Sequence, residues 1–107
     1  MILGTAKSPN NVSIRLTEER WIHIITSHCE ISPTEYSRVL NTIKNPDALL
    51  EGDFGEILAI RKISGKKQWL VVVYKETNKK DGFVITAYIT TDYEWLLKRR
   101  ILWSKKS

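Results

Sequence analysis

The main period of apolar and polar residues changes after Pro46. In the first half, apolar residues recur every three or four positions, as they do in helices that bury one face. After Pro46 the apolar residues alternate with polar ones, which is typical of strands. This change of period predicts mainly helices in the first half and a sheet in the second.

Two helices are predicted in the first half. Thr17 is a favoured N-cap residue, and the helix that follows it is expected over about residues 18–29. The segment 32–35 has the residues of a capping box, with a proline at the first helical position. A second helix is therefore expected to start near Pro33 and to stop at the Asn-Pro pair that ends at Pro46.

The other apolar patterns predict strands that are joined by short turns. The expected strands cover residues 12–16, 47–52 (as a short strand or a turn), 55–63, 68–76 and 83–91. Short connections between consecutive strands make an antiparallel meander. Asp92 is a suitable cap for a last short helix over 93–102.

Together these elements predict an α+β domain. Two N-terminal helices are expected to pack on a three- or four-stranded antiparallel sheet, followed by a short C-terminal helix. Residues 1–11 are expected to be a flexible arm, 12–103 a single domain and 104–107 a frayed tail. A chain of 107 residues is long enough to build one core without disulfides or metals.

Composition excludes several classes of protein. No apolar run approaches the roughly 18 residues that a membrane span needs, and no signal peptide is evident. Cys29 is the sole cysteine, which fits a reducing compartment, so a cytoplasmic location is expected. No metal-binding, phosphate-loop or dinucleotide motif occurs, and only Cys29, His23 and His28 offer soft metal ligands. No cofactor is therefore expected.

The positive charge lies in the second half of the chain. Residues 1–50 hold five basic and five acidic residues, whereas 51–107 hold twelve basic and seven acidic ones, which accounts for the whole net charge of +5. Such a field attracts polyanions, and RNA is the expected partner, although basic surfaces also serve solubility alone. The tryptophans that could stack on bases, or belong to the core instead, are Trp69, Trp95 and Trp103.

Two histidines could carry proton-transfer chemistry. Metal-free RNA cleavage needs a base for the 2′-hydroxyl, an acid for the leaving 5′-oxygen and cations for the charged phosphorane. Histidine suits either proton role because its pKa lies near neutrality. His23 and His28 are five residues apart, about 140° around a helix, so they point to different sides. The alternative is that His28 is a partly buried structural residue and that His23 is a plain surface residue.

The strands add cations and hydroxyl groups. Arg61 and Lys62 lie on one predicted strand, and Thr86, Tyr88 and Thr90 share one face of another because strand side chains alternate. A row of hydroxyls could orient a phosphate group through hydrogen bonds. The alternative is an ordinary half-exposed face of the sheet.

Several segments resemble one family of nucleases. Residues 15–24 followed by His28, then 43–47, 70–74 and 81–88, are similar to the small bacterial and phage members of the barnase–EndoU–colicin–RelE-like nucleases. The similarity covers roughly residues 12–103 and depends mostly on the order of the segments. The resemblance implies helices packed on a four-stranded antiparallel sheet.

The same resemblance implies a function. It points to a metal-independent endoribonuclease that cleaves RNA by 2′-hydroxyl attack, such as the toxin of a toxin–antitoxin pair from a phage or mobile element. Its RNA would be tRNA or mRNA, and an acidic antitoxin or immunity protein would be a candidate partner. Two other hypotheses stay open. One is a non-catalytic RNA- or protein-binding module on the same fold, and the other is an interaction protein without a nucleic-acid role.

The resemblance also assigns roles to residues of this chain. His23 or His28 would act as general acid or base, Arg61 and Lys62 would stabilise phosphate charge, and Thr86 and Tyr88 would orient the phosphate. Ser27 departs from the pattern, because related helices often carry arginine before the second histidine. The chain thereby lacks one phosphate-binding cation of the family.

Overall fold

One large sheet organises the domain, and the computed structural model describes residues 1–105. The helices are α1 (Glu18–Ser27), α2 (Tyr36–Lys44) and α3 (Tyr93–Leu97). The strands are β1 (Ile2–Lys7), β2 (Ser13–Thr17), β3 (Ala48–Glu51), β4 (Ile57–Lys62), β5 (Trp69–Glu76), β6 (Asp81–Thr90) and β7 (Ile101–Ser104). All seven strands belong to one sheet, in the order β1-β2-β6-β5-β4-β3-β7.

The predicted architecture of two N-terminal helices on a three- or four-stranded antiparallel sheet is wrong. The sheet has seven strands, and it is mixed because β2 runs parallel to β6. Residues 2–7, expected in a flexible arm, form the edge strand β1, which pairs with β2. Residues 101–104, expected at the end of a helix and the start of a tail, form the opposite edge strand β7, which pairs with β3.

The parallel pairing of β2 with β6 depends on a glycine. Ile14 lies opposite Gly82 in this pairing. A Cβ atom on Gly82 would collide with the carbonyl oxygen of Lys75 and would lie 2.6 Å from Cδ1 of Ile14. The absent side chain therefore lets β2 and β5 approach the start of β6 from its two sides.

Two of the predicted helix caps are confirmed. The Thr17 hydroxyl accepts a hydrogen bond from the Arg20 backbone N–H at 3.2 Å and starts α1. The Asp92 carboxylate accepts one from the Trp95 N–H at 3.0 Å and starts α3. Each bond satisfies a backbone donor that the first turn leaves free.

The capping box predicted for the second helix does not form. The Ser32 hydroxyl bonds the Thr34 hydroxyl at 3.1 Å instead of a backbone N–H. Helix α2 begins three residues later than predicted, at Tyr36, without a side-chain cap. The last helix likewise ends at Leu97 rather than near residue 102.

The first face of the sheet carries the main core. Helices α1 and α2 bury Trp21, Ile24, Val39 and Ile43 in it. The sheet contributes buried residues from five neighbouring strands: Ile14, Leu16, Leu49, Ala59, Val72, Tyr74, Val84 and Ala87. This layer resembles the helix-on-sheet packing that the sequence predicted, although the sheet is wider.

The second face is covered less completely. Its smaller core consists of Leu50, Leu58, Ile60, Val71 and Leu96, the last of which comes from α3. Half-buried side chains surround that core, namely Ala48, Trp69, Val73 and Tyr88. The second face is thus the side on which the sheet stays open to solvent and ligands.

The sheet is strongly curved around α1 and α2. Pro9, in the turn after the edge strand β1, and Trp103, in the opposite edge strand β7, line the same cavity. The two edges of the sheet therefore approach each other beyond the C-terminal end of α2. Among residues 1–105, no helix has both the length and the apolar character that crossing a membrane requires.

Candidate nucleic-acid interface

The two histidines of α1 lie in different environments. His23 is exposed, on the side of α1 away from the buried Trp21 and Ile24. His28 is half-buried at the C-cap, with its Nδ1 atom 3.5 Å from Oε1 of Glu30. The structure therefore separates the two candidates, as their spacing on the helix predicted.

His28 lies close to one of the predicted hydroxyl residues. Its ring centre is 6.0 Å from that of Tyr88, because α1 packs beside β6. Burial raises the pKa of the Tyr88 hydroxyl above its ordinary value, and the positive charge of Arg99 opposes this shift. The Tyr88 hydroxyl therefore keeps its proton at neutral pH.

The hydroxyl row of β6 lies on the second face of the sheet. Thr86 and Tyr88 pair across the strands with Val73 and Val71, which belong to that face. The hydroxyl of Thr90, at the end of the row, accepts a hydrogen bond from the Asp92 N–H at 3.1 Å. Thr86 and Tyr88 thus have hydroxyl groups on the same side of the sheet.

The two predicted strand cations point to opposite faces. Arg61 pairs with Leu70 on the first face, and its Nη1 atom donates a 3.2 Å hydrogen bond to the Asn45 carbonyl. Lys62 pairs with Trp69 and thus belongs to the second face. Arg61 therefore does not share a face with Thr86 or Tyr88.

Arg61 belongs instead to a concentration of cations beside α2. Two adjoining cavities, of about 250 and 370 Å³, both include Arg61 in their walls. We call their combined surface the basic groove, and its charged residues are Arg38, Lys44, Arg61, Lys62 and Lys105. No carboxylate lines either cavity, and Trp103 supplies an aromatic wall at one end.

The local sequence explains how the groove is built. Asn45 ends α2, and its carbonyl oxygen, at the negative end of the helix dipole, attracts the Arg61 guanidinium. Asp47 follows and accepts a hydrogen bond from the Lys62 backbone N–H at 2.8 Å. The Asp47 carboxylate also pairs with Lys105 Nζ at 2.7 Å, which fixes the end of β7 beside β3 and β4.

Asp47 and Glu35 neutralise part of the groove. Burial alone would raise the pKa of Asp47, but the contacts with Lys105 and the Lys62 N–H outweigh it and hold the pKa below its ordinary value. Arg38 is paired with Glu35 at 3.0 Å. Within residues 1–105, the groove cations without an ion pair are therefore Lys44, Arg61 and Lys62.

Other cavities have mixed charge. One, of about 620 Å³, has Glu30 and Glu35 in its wall together with Arg38 and Lys66. Another cavity, on the second face, contains Glu51 and Asp53 along with the cations Lys98, Arg99 and Arg100. The basic groove has cations and no carboxylate in its wall, whereas the charges in the walls of these two cavities nearly cancel, so the groove is the stronger attractor for a polyanion.

The cavity of about 620 Å³ adjoins the groove and extends to residues near His28 and Tyr88. It shares Arg38 and Ile63 with the groove. Its opposite wall includes Glu30, which contacts His28, and Thr90, two residues after Tyr88 on β6. A chain that occupied the groove could extend through this cavity toward the His28–Tyr88 pair.

Sequence reasoning found only part of this surface. It singled out Arg61, Lys62 and Trp103, but not Lys44 or Lys105. The sequence gives no sign that Lys105, so near the chain end, forms an ion pair with Asp47. In the described part of the chain, no cluster of three or more His, Cys, Asp or Glu residues could hold a metal ion.

No match was found for this chain among protein-family models, curated proteins or solved structures. The resemblance to the barnase–EndoU–colicin–RelE-like nucleases therefore stays a prediction from the sequence.

Proposed function

We propose that this protein binds single-stranded RNA through the basic groove. The observation that carries the proposal is the pair of adjoining cavities with five cations, no carboxylate and a tryptophan. Cations that follow a phosphate backbone and aromatic rings that stack on bases are the two components of single-strand recognition. Cavities of about 250 and 370 Å³ are also too small to enclose a duplex.

The binding is tested by fluorescence anisotropy with a labelled 12-nucleotide RNA at several salt concentrations. Lys44→Ala removes an exposed groove cation that has no ion pair in residues 1–105. We expect weaker binding and a slope of log K against log salt that is smaller by about 0.7, the value for one lost phosphate contact on single strands. Lys98→Ala is the matched control, because Lys98 lines the mixed cavity on the second face. Equal effects of the two substitutions would reject the groove as the binding site.

Cleavage of the bound RNA without a metal ion is the second function that we propose. It is favoured by the 6.0 Å approach of the His28 and Tyr88 rings and by the cavity that leads there from the groove. His28 would take the 2′-hydroxyl proton, and the oxygen would attack the adjacent phosphorus. Tyr88 would protonate the departing 5′-oxygen, which leaves a 2′,3′-cyclic phosphate and a 5′-hydroxyl.

Cleavage is measured in EDTA with an RNA and with the same strand carrying a single 2′-deoxy nucleotide at the cut site. We expect the deoxy strand to resist cleavage, His28→Ala to lose at least about a hundredfold in rate, and His23→Ala to stay near wild type. The opposite order of the two histidine variants would move the role to His23. If the protein binds RNA but cuts neither strand, the non-catalytic alternative is correct.

A further inference from the structure

The second face of the sheet contains a cleft whose apolar wall the proposed RNA contact does not use, although Lys62 lies at the rim of both sites. It has a volume of about 490 Å³ and lies between α3, β4 and β7. Its wall is largely aliphatic, with Leu50, Ile60, Leu96, Leu97 and Ile101 as the main contributors. We call it the apolar cleft. Its volume falls within the range of about 300–1,000 Å³ that is typical of small-molecule sites.

Two aromatic rings make a flat side of this cleft. Trp69 of β5 and Tyr93 of α3 stack with their ring centres 4.4 Å apart and their planes 13° from parallel. The stack fixes the first turn of α3 against the sheet. A rigid aromatic wall of this kind favours ligands with a flat apolar body.

One positive charge at the rim has no carboxylate partner. Lys62 lines the cleft, and no ion pair within 4.0 Å involves it in the described part of the chain. Asp47, the acidic residue at the same rim, already pairs with Lys105 at 2.7 Å and accepts the Lys62 backbone N–H at 2.8 Å. The Lys62 ammonium is therefore available to an anionic group.

The apolar surface beside the cleft is unusually exposed. Leu97 and Ile101 are each 54% exposed, and a third exposed apolar residue, Tyr93, also lines the cleft. Isolated exposed apolar residues are common, but a cluster around a concave site marks a place where something binds.

We propose that the apolar cleft binds a small amphipathic anion with a flat apolar body and one carboxylate, sulfonate or phosphate group. The body lies against the aliphatic wall and the Trp69–Tyr93 stack, and the anionic group pairs with Lys62. This charge complementarity distinguishes such a ligand from a neutral apolar one. The site goes beyond RNA binding and does not depend on it.

The probe for this site is 8-anilinonaphthalene-1-sulfonate, whose fluorescence rises when it leaves water. Titration of the folded protein should show one saturable site. Lys62→Gln should weaken binding about fivefold to tenfold, as expected for the loss of a charged contact, and Lys62→Arg should retain most of it. Lys98→Gln removes the same charge next to a different cavity and should leave the affinity unchanged.

A neutral analogue, N-phenyl-1-naphthylamine, separates the charge from the apolar wall. The analogue should bind wild type and Lys62→Gln equally. Leu97→Glu, which changes an exposed residue of the cleft wall, should weaken the binding of both probes. The proposal is overturned if the sulfonate binds wild type and Lys62→Gln with one affinity, or if it binds only at many weak sites. It is also overturned if sedimentation shows that a second copy of the chain covers the cleft.

The same variants keep this result separate from the RNA proposal. Leu97 does not line the basic groove, so Leu97→Glu should bind RNA like wild type while it loses the sulfonate. Conversely, Lys44→Ala should weaken RNA binding and should bind the sulfonate like wild type. Either proposal can therefore fail without the other.

Discussion

The two faces of the sheet differ in how completely helices cover them. The first face is covered by α1 and α2, and its strands present fully buried residues such as Ile14, Val72 and Tyr74. The second face is covered by the five residues of α3, and it leaves Tyr88 and Trp69 half-exposed. The comparison teaches that α1 and α2 protect one face of the sheet, whereas the hydroxyl row of β6 and the apolar cleft lie on the other.

The largest expected effect is on the first face. Ile43 is fully buried between α2 and the sheet, so Ile43→Ala removes apolar contacts and leaves a cavity. We expect the free energy of unfolding to fall by about 2–5 kcal/mol. Urea unfolding followed by circular dichroism measures it. A loss well below this range would contradict the view that the first face holds the main core.

The corresponding change on the second face is Leu96→Ala. Leu96 is also fully buried, and it is the residue through which α3 reaches the smaller core. We expect the free energy of unfolding to fall by about 2 kcal/mol, the lower end of the range given for Ile43→Ala, because α3 can detach while the sheet stays folded. Hydrogen exchange should show faster exchange of the amides in α3 than in β5. A loss equal to that of Ile43→Ala, with uniform exchange, would make the two faces equivalent.

The helix caps sharpen the comparison with a smaller effect. Thr17→Ala and Asp92→Ala each remove one side-chain hydrogen bond to a first-turn N–H. Cap losses typically cost about 1 kcal/mol. We expect Thr17→Ala to lower the global stability by about that amount and Asp92→Ala to affect mainly hydrogen exchange within α3. Similar shifts of the unfolding midpoint in both variants would argue against a locally detachable α3.

The smallest effect concerns the edge where Lys105 pairs with Asp47. The pKa of Asp47 is lowered in the folded protein, so the pair stabilises the fold above about pH 3.8 and is lost as pH falls through the folded pKa. Asp47→Asn should cost less than about 1 kcal/mol at neutral pH, because Lys105 is well exposed. Unfolding curves should show a smaller difference in stability between the two proteins at pH 3 than at pH 7. A difference at pH 3 as large as that at pH 7 would assign the effect to something other than this charge.

The sequence predicts the local features of this fold well. Thr17 and Asp92 are caps because their side chains act on backbone groups three residues away, and that relation is visible in the sequence. The central strand around Val71 and Val72 is apolar on both sides, and both of these residues are fully buried. Each of these features depends on neighbours in the chain.

The features that the sequence could not predict depend on distant contacts. Residues 2–7 become a strand through pairing with β2. Residues 101–104 become one because β3 offers them a free edge, on which Leu49 lies opposite Trp103. The apolar spacing in 101–103 suits a helix as well as a strand. The closeness of His28 to Tyr88 has the same origin, since it requires α1 to lie beside β6.

The parallel pair β2–β6 also has a consequence for how the chain folds. Ser13 has its partner at Asp81, so nearly seventy residues separate the two strands in the sequence. Closing so long a loop costs entropy before any contact rewards it, and folds with such pairings form in about milliseconds to seconds rather than microseconds. On the ribosome, β2 would lack this partner until β6 emerges, so the main core is complete only after residues 81–90 have left the ribosome.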